Sequence, residues 1–87
     1  MSKTVTIETV DPDPETSTVV HRFRNFGEDV FRELRDLCDV DIYEIDRATT
    51  SFAVRSVVES DVDQVEAILR RLLEEHFFSE STTLTWT

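Results

Sequence analysis

Between Ser60 and Phe78 the apolar residues Val62, Val65, Ile68, Leu69, Leu72 and Leu73 recur at three- and four-residue intervals. That spacing stacks them on one side of an α-helix. Ser60 precedes the run as an expected N-cap, and Asp61 and Asp63 fall in the positively polarised first turn. The opposite side carries Asp63, Gln64, Glu66, Arg70, Arg71, Glu74 and Glu75. Glu66 lies four residues before Arg70, the favourable order for a surface ion pair. A helix with one dry face must lie on a sheet or on another helix. The rest of the chain therefore has to supply that surface.

The segment from Lys3 to Val10 alternates, with Val5 and Ile7 separated by Thr4, Thr6 and Glu8, and reads as a half-buried strand. Asp11-Pro12-Asp13-Pro14 interrupts it, because proline lacks a backbone donor and disfavours helix before it. Residues 17–24 read as a second strand, with Val19, His21 and Phe23 on one face and Val20, Arg22 and Arg24 on the other. Asn25 reads as the N-cap of a helix whose stripe is Phe26, Val30, Phe31, Leu34, Leu37 and Cys38, with Glu28 completing a capping box. Residues 40–46 and 50–58 predict a hairpin turning at Arg47-Ala48-Thr49. The long helix follows, ending near His76 or Phe77. Thr82 to Thr87 alternates again and sets Leu84 and Trp86 together on a last strand.

With the first strand set aside, this order is βαββαβ, the layout of ferredoxin-like folds. The expected fold class is α+β: a two-layer sandwich with an antiparallel sheet, two helices on one face, and an extra N-terminal strand. Residues 1–87 are expected to form a single domain. Right-handed crossovers would place strands 17–24 and 50–58 at the centre of the sheet.

Composition sets the environment. Nineteen Asp and Glu oppose nine Lys and Arg, for a net charge of -10. Such a field repels nucleic acid and anionic lipid. Lys3 is the only lysine. Dense carboxylates with almost no lysine match the bias of salt-in halophiles, where concentrated salt screens the repulsion. One cysteine permits no intrachain disulfide. The Thr-rich start shows no apolar signal segment, and no apolar run is long enough to cross a bilayer, so the expected compartment is the cytoplasm.

Catalytic patterns are lacking. His21, Cys38 and His76 have no paired metal-ligand spacing. His21 reads as a core-edge residue and Cys38 as a buried, inert thiol. Asp36, Asp39 and Asp41, or Asp11, Asp13 and Glu15, read as solvated surface rather than cation sites. One glycine in the chain rules out a phosphate-cradling loop. No enzyme activity and no cofactor are expected.

The arginines carry the sharper expectation. Strand parity puts Arg22 and Arg24 beside Arg55 on the sheet face that the helices leave bare, with Val20, Ala53 and Val57 among them. That mixture of arginine and apolar surface suits a protein interface; equally, the arginines can pair with Glu8, Glu44 and Asp46 on neighbouring strands and face water. The expected function is a non-enzymatic interaction module that homodimerises through this face or through an exposed sheet edge. The alternative is a regulatory domain that binds a small anionic metabolite through Arg22, Arg24 and Arg55.

Overall fold

The computed structural model describes residues 2–9, 18–41 and 51–87. Its elements are β1 (Ser2–Thr9), α1 (Thr18–Leu34), β2 (Asp39–Asp41), β3 (Ser51–Val58), α2 (Val62–Glu75) and β4 (Thr82–Trp86). The four strands form one antiparallel sheet in the order β2-β3-β1-β4. The long central contacts are those of β1 with β3, where Ile7 faces Phe52 and Val5 faces Val54.

One buried cluster joins the layers, which puts both helices on the same face of the sheet. The sheet contributes Val5, Ile7, Phe52, Val54 and Val57, α1 contributes Phe23, Phe26, Val30 and Leu34, and α2 contributes Val65, Leu69, Leu72 and Leu73. Each such side chain contributes about 1.5–3 kcal/mol on burial. Phe23, Phe26, Phe52 and Phe78 form the aromatic centre, with ring centroids 5.4–6.1 Å apart.

The structure corrects the expected strand over residues 17–24. From Thr18 onward this segment is the first part of α1, and Phe23, Phe26, Val30 and Leu34 all point into the core. Three- and four-residue spacing therefore outweighs the shorter alternation. No proline interrupts Thr18–Leu34, so the helix runs through Arg24 and Asn25 without a break. Asn25 is thus an exposed mid-helix residue, not a cap, and His21 is exposed rather than at the core edge. The sheet has four strands among the described residues, and the N-terminal strand is a central member of it rather than an addition.

Two further details differ. Ser60 lies in a short 3₁₀ turn, Glu59–Asp61, and α2 begins after Asp61 without a side-chain cap hydrogen bond. The pairing of β1 with β3 slips between Lys3 and Val5, because Arg55 and Ser56 together oppose Thr4. Ser56 has φ 60°, the left-handed conformation that commonly accompanies a β-bulge. The expected turn at residues 47–49 lies outside the described residues, although β2 and β3 do pair antiparallel.

Candidate functional site

The six residues expected to share the bare sheet face do not come together. Val20, Arg22 and Arg24 are on α1; the side chain of Val20 lies outside the description. Arg22 donates a hydrogen bond from Nη2 to the backbone oxygen of His76 at 3.1 Å. Its guanidinium also sits 4.9 Å from the centre of the Phe78 ring. A cation there caps the negative end of α2 and ties it to α1. Arg24 is exposed on the same helix. Arg55 is exposed on β3, across from Asp39 of β2. Ala53 shares the face of Arg55 but is only 7% exposed. Val57 is fully buried on the helix side, because the bulge at Ser56 reverses the parity after Arg55. Sequence parity could not foresee that reversal.

The bare face is mostly polar, with Ala53 and the exposed Val58 of β3 as its apolar residues. Parity gives it Thr4, Thr6 and Glu8 from β1 and Thr83 and Thr85 from β4, with Thr6 opposite Thr85 and Glu8 opposite Thr83. Threonine suits a solvated strand surface.

The helices are latched across their outer surfaces. Nη2 of Arg71 on α2 is 2.8 Å from a carboxylate oxygen of Glu33 on α1. His76 Nε2 is 2.7 Å from Asp29 Oδ2. Cys38 is half-buried, and its Sγ–H points at the Leu34 backbone oxygen at 3.7 Å. Burial, with Asp39 and Asp61 nearby, pushes its thiol pKa above 9.0. Among the described residues, no group of three or more His, Cys, Asp or Glu side chains is placed to hold a metal ion.

Two open grooves flank β4. At its end lies one of about 430 Å³, lined by Lys3, Val62, Glu66, Trp86 and Thr87. Within it Trp86 Nε1–H donates to Glu66 Oε1 at 3.2 Å, which fixes the indole against α2. At the start of β4 lies a second groove of about 650 Å³, lined by Glu74, Phe77, Ser79, Glu80 and Ser81.

Between the grooves runs the edge of the sheet. Among the described residues β4 pairs only with β1. Thr4 and Thr87 exchange both backbone hydrogen bonds, at 3.0 and 2.8 Å. Strand alternation then turns the N–H and C=O groups of Thr82, Leu84 and Trp86 away from β1, towards the open edge. No residue from Ser81 to Thr87 is charged, although 32% of the whole chain is. The sequence marks Leu84 and Trp86 as a core or interface anchor and allows dimerisation through an exposed sheet edge, without singling out this strand as that edge. The neutral run Ser-Thr-Thr-Leu-Thr-Trp-Thr was the signal available.

Phe77 stands out beside that edge. Phe78 N–H donates to Leu73 O at 2.7 Å and Phe77 N–H to Glu74 O at 3.2 Å, the bond pair of a Schellman C-cap. Phe77 takes the left-handed position of this motif at φ 63°, where glycine is the usual occupant. Its side chain is 84% exposed, so the protomer gains almost no burial from it.

No protein-family model matches the chain, and no curated protein is significantly similar to it. Function must therefore be argued from the site.

Proposed function

We propose that this protein is a non-enzymatic interaction module with a ferredoxin-like organisation, and that it homodimerises through the edge of β4. The βαββαβ element order and the antiparallel order β2-β3-β1-β4 support the fold reading. The observation that carries the functional reading is the uncharged edge strand. An exposed edge is ordinarily blunted with lysine, proline or a bulge, and a chain this rich in carboxylates had charge to spend there. β4 has none of these devices. Its Thr, Leu and Trp residues favour strand pairing, and a second β4 would satisfy its outward donors and acceptors.

The acidic, lysine-poor composition supports a halophilic, cytoplasmic setting, in which salt screens the repulsion between two protomers of charge -10. No described helix is long and apolar enough to cross a membrane. The anionic-metabolite reading loses its support, since Arg22, Arg24 and Arg55 lie on two different elements and Arg22 is committed to the end of α2.

The test is the mass of the wild-type chain by light scattering in molar KCl. A dimer at micromolar concentration is expected. A monomer throughout the accessible range would overturn the reading.

A further inference from the structure

We propose that Phe77 of one protomer fills the groove beside Trp86 of a second copy, across a two-fold axis that passes through Leu84. This rests on the homodimer reading above and gives it a register. An isologous pair needs a surface that complements itself, so a knob at one end of the strand must meet a hole at the other. The knob is Phe77, held exposed in a conformation that a bulky residue adopts only at a cost. The hole is the groove of about 430 Å³ floored by Val62 and Trp86.

Their placement fits an antiparallel β4–β4 pair. Ser81 shares the groove of Phe77, Thr87 lines the groove of Trp86, and Leu84 lies midway between them in sequence. Setting Leu84 opposite its symmetry mate brings Ser81 of each copy level with Thr87 of the other. It also pairs Thr82 with Trp86, both of which turn their backbone groups outward. A two-fold axis normal to the sheet keeps both helical layers on one side. Phe77 and the Val62–Trp86 groove both border α2, so knob and hole meet in the same layer. The carboxylates of Glu74 and Glu80 beside Phe77 meet a groove that holds Lys3, the chain's only lysine, together with Glu66, whose carboxylate is engaged by Trp86 Nε1 and Arg70. An extended peptide from another protein could pair with the same edge, but it would leave the strained, exposed Phe77 without a use.

Trp86 is the only tryptophan, so its fluorescence reports the groove directly. The full chain would be followed in molar KCl by light scattering and by Trp86 emission over a dilution series. Two variants would be compared with the wild type: Phe77→Gly, and Thr82→Pro, which removes an outward N–H from the edge. For the wild type, a dimer is expected whose Trp86 emission shifts to the red as it dissociates on dilution. Phe77→Gly should weaken dimerisation at least about tenfold, and its emission should stay at the monomer position. Thr82→Pro should also dissociate. If Phe77→Gly keeps the wild-type affinity and emission shift while Thr82→Pro dissociates, the edge pairs without the knob. That outcome overturns this inference and leaves the homodimer reading standing. A wild type that is monomeric at hundreds of micromolar overturns both and leaves the groove to another occupant.

Discussion

Leu69 is fully buried at the middle of the inner face of α2. Leu69→Ala should cost about 2–5 kcal/mol, a large share of the stability of a domain this small, and chemical denaturation would measure it. Glu66 makes a contrast that spacing alone understates. Its ion pair with Arg70 at 3.6 Å is exposed and contributes a few tenths of a kcal/mol, about what any i,i+4 pair does. Glu66 also accepts from Trp86 Nε1, and a side-chain hydrogen bond of that kind contributes about 1 kcal/mol. Glu66→Ala is therefore expected to cost about 1 kcal/mol, and Glu66→Gln, which keeps the acceptor, distinctly less. Cys38 adds a pH dependence. Its thiol is held above its ordinary 9.0 by burial and then by Asp39 and Asp61, so the folded state keeps this proton longer than the unfolded chain does. The stabilisation is complete below about pH 9 and is lost as pH rises through the raised value. A Cys38→Ser variant should lack that part of the alkaline decline in unfolding free energy.

At the scale of elements, the Schellman turn after α2 offers a separable prediction. Phe77→Gly removes a left-handed bulky residue whose side chain is solvent-exposed, so the isolated protomer should become more stable by about 1 kcal/mol. Measured at low protein concentration, an unchanged or lower thermal midpoint would contradict the strain assigned to this position. The elements also show what the sequence could reveal. β1, β4 and α2 are legible because each has one clean period and punctuation at its ends, and β3 is legible in extent but not in facing beyond the bulge at Ser56. The start of α1 is not legible, since Val19 and Phe23 against Val20, Arg22 and Arg24 satisfy a period of two as well as a helical one. Only the long-range partners of Phe23, namely Phe52 and Phe78, decide between them. The expected arginine face does not assemble, because Arg22 and Arg24 belong to that helix and the bulge at Ser56 turns Val57 to the other side of β3, leaving Arg55 and Ala53 there without them. Phe77 and the edge of β4 were visible as letters, yet their exposure depends on strand order, which no local pattern encodes.

For the whole molecule the governing quantity is its charge of -10. Self-repulsion weakens the compact state, and salt removes that penalty. The thermal midpoint should climb steadily as KCl rises towards molar concentration, and the dimer should tighten in parallel because two like-charged bodies are being joined. A midpoint that is flat or falling over that range would sink the halophilic reading. The two effects can be told apart, since only the second depends on protein concentration.

The bulge in β3 has a consequence for how this gene could tolerate the loss of a codon. Removing one residue from the middle of a strand normally exchanges its inner and outer sides beyond the lesion. Ser56 is the exception, since it is the surplus residue opposite Thr4. Without it, Phe52, Val54 and Val57 alternate regularly with Ala53 and Arg55, and Lys3 can still face Val57. An in-frame deletion of Ser56 should therefore fold with its core intact, whereas deletion of Val54 should not fold at all.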